Sequence, residues 1–162
     1  HKISNNIKDK FKFISLNAQL NASNVGTHSI KKYKNVDLII INEAELRNEL
    51  RNDTTKIEIL AKEFFKTNIC KNLVITRGKE GAILIDKKKI YYCPAFSSKP
   101  VDKLGAGDAM LSIISLCLNK NFDKSLSLFL GSVAGAYSVQ TIGNKHAISY
   151  NKIENFLKYA FK

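Results

Sequence analysis

Short, densely apolar runs alternate along this chain with longer segments whose apolar residues recur at helical spacing. Ile3 to Lys10 reads as the end of a helix, and Phe11-Lys12-Phe13-Ile14-Ser15-Leu16 alternates as a strand does. Gly26 to Tyr33 suits a short helix. Asp37 to Ile41 is a continuous apolar run behind one acid, the pattern of a parallel strand buried on both faces. A helix follows at once, from Asn42 through about Leu50. Thr54 to Thr67 carries Ile57, Leu60, Ala61, Phe64 and Phe65 on one helical face, with lysines and Glu58 opposite. Leu73 to Thr76 predicts another buried strand, Arg77 to Gly81 a turn, and Ala82–Asp86 with Lys89–Cys93 a hairpin.

Pro94 to Pro100 then connects to a helix over Asp108 to Asn119. Asp123 is placed to cap a further helix, with Leu126, Phe129, Leu130, Val133, Ala134 and Tyr137 on one side and Gly143-Asn144 at its end. Ser149 opens a last helix, Tyr150 to Phe161. Strands alternating with helices, followed by a run of helices, predict an α/β layered domain.

Composition narrows the class without naming a chemistry. At 162 residues the chain can bury one core, so one domain or part of one is expected. Hydrophobic content of 44% and charged content of 25% are ordinary for a soluble globular protein. No apolar run is long enough to cross a bilayer, no signal peptide is visible, and a membrane partner is not expected. The chain opens on His1, so a processed chain or a piece of a longer one is expected.

The formal charge is +12, yet only Arg47, Arg51 and Arg77 are arginines. Surfaces that clamp phosphates or read bases lean on arginine's planar fork. Scattered lysines predict a solvated basic surface that draws anionic substrates, with no nucleic-acid partner. Cys70, Cys93 and Cys117 are far apart and in apolar contexts, which argues against zinc or a disulfide framework. Reduced, buried thiols fit the cytoplasm.

The densest chemistry lies in Val101-Asp102-Lys103-Leu104-Gly105-Ala106-Gly107-Asp108. Gly105, Ala106 and Gly107 let an anionic group approach the backbone, and they lead into a helix. The first amides of a helix lack internal partners and the dipole there is positive, which makes an anion site. Asp108 sits among them, either as an ordinary helix cap or as a base beside the anion, as phosphoryl transfer to a hydroxyl requires.

Other candidates lie at predicted strand ends, where open α/β sheets bind ligands. Asn17 begins an amide-rich loop, which equally suits turn chemistry. Asn42 and Glu45 have the spacing of a capping box, and the same carboxylate could serve a metal or phosphate. Gly78 and Gly81 suit a turn. Gly131, Ala134, Gly135 and Ala136 give one helix a small surface, for close helix packing or for a flat ligand.

Taken together, these residues resemble the C-terminal half of a ribokinase-like sugar kinase of the PfkB family. Asp102 with Gly105-Ala106-Gly107-Asp108 looks like its signature and catalytic aspartate. Asn42-Glu43-Ala44-Glu45 is similar to its Asn-x-x-Glu motif, and Thr76 to Gly81 to its Thr-x-Gly-x-x-Gly nucleotide loop. Asn17 stands like its nucleotide-side asparagine, and Phe129 to Gly143 resembles the helix and turn bordering adenine. The asparagine-rich loop and Gly143-Asn144 look most like a branch that accompanies, or is fused to, cytidylyltransferase-like proteins.

The resemblance implies a three-layer α/β fold, with a mostly parallel sheet, flanking helices and a β-hairpin. It implies ATP-dependent phosphorylation of a hydroxyl on a sugar or sugar phosphate. Asp108 would be the base, and the amides of Gly105, Ala106, Gly107 and Asp108 would stabilise the moving phosphoryl group. Glu45 would organise Mg2+ through water, and Asp102 a monovalent cation. Asn17, Asn42, Thr76, Gly78, Gly81 and Gly131 would line the nucleotide. A non-catalytic nucleotide-binding module of the same fold is the alternative.

The sequence departs from the pattern at Lys103-Leu104, at Gly131, where relatives often carry Asn or His, and above all in length. Residues 1–162 would be the C-terminal portion of one kinase domain. The N-terminal half and lid would be absent, and with them most sugar contacts. Homo-oligomerisation, or association with that half, is then expected.

Overall fold

The computed structural model describes residues 10–17, 30, 33–67, 69–96, 105–139, 149, 151, 153–155 and 158. The strands are β1 (Ser15–Asn17), β2 (Val36–Asn42), β3 (Cys70–Thr76), β4 (Ala82–Ile85) and β5 (Ile90–Cys93). The helices are α1 (Glu43–Leu50), α2 (Ile57–Phe65), α3 (Ala106–Asn119) and α4 (Lys124–Ser138), and a 3-10 turn covers Gly78–Glu80. The architecture is α/β, with a mixed five-stranded sheet in the order β1-β2-β3-β4-β5. The chain forms two compact units, His1–Thr76 with Ile83–Tyr91, and Arg77–Ala82 with Tyr92–Lys162.

In the first unit β1 runs parallel to β2, and β2 parallel to β3. Ile39, Ile41, Leu73, Ile75, Ile83 and Ile85 form one core with Leu46 of α1 and Leu60, Ala61 and Phe64 of α2. Leu38, Ile40, Val74 and Leu84, which alternate with them along the strands, are also buried. Burial on both faces is the physical reason these strands read as unbroken apolar runs. Each buried side chain of this size stabilises the fold by roughly 1.5–3 kcal/mol.

Several boundaries differ from the sequence expectation, and β3 begins at Cys70, three residues before Leu73. The predicted strand Phe11–Leu16 is only Ser15–Asn17, because the ladder starts where Ser15 meets Leu38, and Phe11 is exposed. The helix expected from Thr54 starts at Ile57. Asn52 Oδ1 accepts from the Thr54 and Thr55 amides, and this local turn competes with helix until Lys56. The short helix expected over Gly26–Tyr33, and the helix end before Lys10, lie outside the described residues except at Lys10, Ile30 and Tyr33.

In the second unit α3 begins at Ala106, two residues before the expected start. Asp123 caps α4 as expected, its Oδ1 accepting from the amides of Ser125 and Leu126. The buried side of α4 differs from the predicted face: Leu126 is exposed, and Ser127, Leu128 and every residue from Gly131 to Ala136 are buried. The helix stops at Ser138, and Gly143-Asn144 lies outside the described residues. A Cβ at Gly131 would lie 2.3 Å from Ile114 Cγ1, and one at Gly135 2.8 Å from Met110 Cγ, so α4 packs closely on α3. Phe96 meets Phe129 edge-on, ring centroids 5.4 Å apart. The described residues of the last predicted helix are helical, and Ile153 donates to the Ser149 carbonyl.

Cys70, Cys93 and Cys117 are buried and unbridged. Burial pushes all three thiols above their ordinary range, Cys70 to about 12. Among the described residues no helix is long and apolar enough to cross a membrane.

Candidate functional site

Parallel pairing brings three of the predicted residues to one edge of the first unit's sheet. Asn42 pairs in register with Thr76, and Asn17 with Ile40, two residues before Asn42. Side chains alternate along a strand, so Asn17, Asn42 and Thr76 share one face at the carboxyl ends of three adjacent strands. That is where open α/β sheets place ligands.

The next group grows from the end of β2. Asn42 caps α1, its Oδ1 accepting from the Glu45 amide at 2.8 Å, and Glu45 Oε2 accepts from the Asn42 amide at 2.8 Å. The capping box is formed, and it fixes Glu45 with its carboxylate largely buried against the strand end. Glu43 and Glu45 both lie in the first turn of α1, which the helix dipole favours. Arg47 holds Glu43 on one side and the carbonyl of Thr55 on the other, which ties this helix to the loop ahead of α2.

The loop after Thr76 is tight. Arg77 donates to the Gly81 carbonyl and Gly81 to the Gly78 carbonyl. Gly81 has φ +86, and a Cβ there would lie 2.0 Å from the Cys93 carbonyl oxygen. Only glycine fits that approach. Gly78 also has positive φ, +57, but the space its Cβ would enter is open. Arg77 is paired with Glu80 across the 3-10 turn.

In the second unit Gly105, with φ +82, is the cap residue of α3. Ala106, Gly107 and Asp108 are therefore the first three helical residues, and Asp108 is not the cap that one sequence reading made it. Among the described residues no side chain is seen to cap this helix, and the first bond within it runs from the Ala109 amide to the Gly105 carbonyl. The amides of Ala106, Gly107 and Asp108 precede that bond, at the positive end of a fourteen-residue helix. Asp108 is exposed beside them, and its backbone carbonyl accepts from the Ser112 hydroxyl. Asp102, Lys103 and Leu104 lie outside the described residues. Packing against Ile114 accounts for the absence of a side chain at Gly131.

Sequence reasoning passed over Asp37 as one acid ahead of an apolar run. In the structure it is buried, its carboxylate bonded to the Ile14 amide and to Lys71. A charged residue at the start of a strand buried on both faces was the available signal.

Comparison with known proteins adds to this geometry. A model described as "pfkB family carbohydrate kinase" matches residues 6–149. The chain is 33% identical over 108 residues to a ribokinase of Lactococcus lactis, a match covering 67% of this chain and 34% of that protein. It is 28% identical over 122 residues to the bifunctional protein HldE of Koribacter versatilis, covering 74% of this chain and 25% of that one.

Among solved structures, a putative ribokinase II from E. coli aligns with a TM-score of 0.79 at 20% identity, over 98% of this chain and 52% of its own. Phosphofructokinase-2 from E. coli, in complex with potassium, aligns with a TM-score of 0.75 at 20% identity, over 93% and 48%. The chain thus spans about a third of the ribokinase it matches and about half of these solved structures.

Proposed function

This chain belongs to the pfkB family of carbohydrate kinases, and from that premise we propose that it supplies the nucleotide-side and base-bearing residues of an ATP-dependent kinase. The acceptor is a hydroxyl of a sugar or sugar phosphate. The observation that carries this reading is the entry to α3, where Asp108 stands exposed in the first turn, beside the amides of Ala106 and Gly107 that follow Gly105 at φ +82.

Phosphoryl transfer needs positioning and charge stabilisation more than covalent chemistry. The amides of Ala106, Gly107 and Asp108 receive the charge on the moving group, with Gly105 holding the backbone in its left-handed turn. The Asp108 carboxylate takes the proton from the attacking hydroxyl oxygen. Asn17, Asn42 and Thr76, together at one sheet edge, bind and orient the nucleotide, and Gly78 and Gly81 are assigned to the same ligand. Gly131 enters this reading only through its backbone.

The donor set fits magnesium. Magnesium keeps several waters and meets protein through one or two carboxylates, and Glu45 offers one carboxylate held in place at a strand end. Glu45, fixed by its capping box, would hold the ion through water. Bound magnesium would neutralise charge on the phosphates. Asp102 is assigned a monovalent cation, a reading supported by the potassium in the phosphofructokinase-2 relative.

Asp108→Asn in the full-length protein tests the reading. Turnover falls about 10²–10⁴-fold while nucleotide affinity holds. A mutant that keeps most of its turnover removes Asp108 from the role. ATP binding without any sugar phosphorylation by the unmodified protein supports a non-catalytic nucleotide-binding module instead.

A further inference from the structure

We propose that Asp37 is a positioning residue: it holds strand β1 in register and so keeps Asn17 at the sheet edge beside Asn42 and Thr76. The inference rests on the nucleotide role proposed for Asn17. Among the described residues strand β1 covers Ser15–Asn17, and its ladder to β2 has three register pairs, Ser15 with Leu38, Leu16 with Ile39 and Asn17 with Ile40. All three β1 residues are only half-buried. Residues buried so little do not by themselves fix a register, and a slip of one residue would turn Asn17 to the opposite face.

Asp37 supplies what the ladder lacks. Its amide donates to the Ile14 carbonyl at 2.8 Å, and its Oδ2 accepts from the Ile14 amide at 2.9 Å. Both polar groups of the residue that leads into β1 are thus held by one residue of β2. The Leu38 amide adds a second, longer bond to the same Ile14 carbonyl, at 3.2 Å.

The clasp is anchored on β3 as well. Lys71 Nζ lies 2.6 Å from Asp37 Oδ1, and Asn72 Nδ2 donates to the Asp37 carbonyl at 2.9 Å. Asp37 is 6% exposed, so its carboxylate is costly to bury unless these partners are kept. A hydrogen bond to a buried charge is stronger than a neutral one, and it is directional. An apolar residue in the same place would pack but would not choose a register. Asn17 lies three residues along the chain from the clasped Ile14, close enough for the hold to reach it.

Asp37→Val removes the carboxylate while keeping a strand-forming shape, and Asp37→Asn keeps an oxygen that can still accept from Ile14. Two measurements on the chain decide the matter. The first is amide exchange at Leu16 without ligand. In Asp37→Val, protection at Leu16 falls at least about tenfold while Ile39 and Leu73 keep theirs, and Asp37→Asn restores most of it.

The second is MgATP affinity in a double-mutant cycle with Asn17→Ala. Asp37→Val weakens binding about tenfold, since only the fraction of molecules in register binds. It adds nothing once Asn17 is already alanine. Full additivity, or an unchanged Leu16 exchange rate, overturns the proposal. If Asp37→Val does not fold, the same two readings are taken on Asp37→Ser, whose hydroxyl is too short to span to Ile14. If the unmodified chain binds no MgATP, or Asn17→Ala leaves binding untouched, the function reading fails, and Leu16 exchange alone then upholds or overturns the clasp.

Discussion

Asn42 and Glu45 satisfy each other's backbone amides, each side-chain oxygen 2.8 Å from the other residue's nitrogen. The carboxylate proposed to hold magnesium is therefore also half of a helix cap. Its two duties separate by substitution, because a glutamine completes a capping box as well as a glutamate does. Glu45→Gln is expected to change unfolding free energy by less than about 0.5 kcal/mol and to raise the magnesium needed for half-maximal rate several-fold. Denaturant titration and a magnesium titration of the proposed kinase activity check this. Lost stability with an unchanged magnesium requirement would leave Glu45 as a cap partner only.

Asn42→Ala removes the other half. It is expected to cost about 1 kcal/mol, as N-cap deletions do. Asp123→Ala at the start of α4 should cost a similar amount, since its carboxylate holds the Ser125 and Leu126 amides. Asp123→Asn should recover most of that. Urea midpoints for the three variants provide the comparison.

Gly131→Ala is expected to destabilise by about 1–3 kcal/mol, although alanine is the better helix former. The new Cβ would lie 2.3 Å from Ile114 Cγ1, and Ile114 is fully buried and has little room to move. Shortening Ile114 to alanine in the Gly131→Ala background should return part of the loss. The two substitutions will then be non-additive in thermal or urea unfolding. Additive losses would show that helix packing is not what holds position 131 to glycine.

Cys70 gives the chain an alkaline limit. Its thiol is pushed to about 12 by burial, from an ordinary 9.0. The unfolded chain releases this proton from about pH 9, and the folded chain only near 12. Its contribution to stability is thus intact below pH 9 and falls as pH rises, by about 1.4 kcal/mol per unit across that window. Cys70→Ala should flatten this part of the slope, measured by urea unfolding at pH 8, 9 and 10. It will also lower stability at neutral pH, because it leaves a small cavity. In native protein the Cys70 thiol should resist alkylation across the same range.

Local features were legible in the sequence because their causes are local. The capping box at Asn42 and Glu45 depends on a spacing of three residues, and the cap at Asp123 on two and three. The runs at Asp37–Ile41 and Leu73–Thr76 read as strands buried on both faces, since a parallel strand covered on both sides has no polar alternation. The motifs at strand ends could be ordered along the chain, and their resemblance to a kinase family is borne out by the match over residues 6–149.

Contacts between distant residues decided the rest. Nothing near Ser15 says that β1 starts there; that follows from where Leu38 and Asp37 meet it, more than twenty positions away. The apolar residues of α4 surround the helix, so its pattern could not say that Leu126 faces solvent while Gly131 and Gly135 face Ile114 and Met110. Asp108 could be read as a cap or as a first-turn acid until Gly105 was seen at φ +82, which starts the helix two residues earlier. In α/β proteins the sequence by itself determines what each segment can bury and cap, because those energies arise within a turn or two. Register, facing and the assembly of Asn17, Asn42 and Thr76 at one edge arise only when segments far apart in the chain pair.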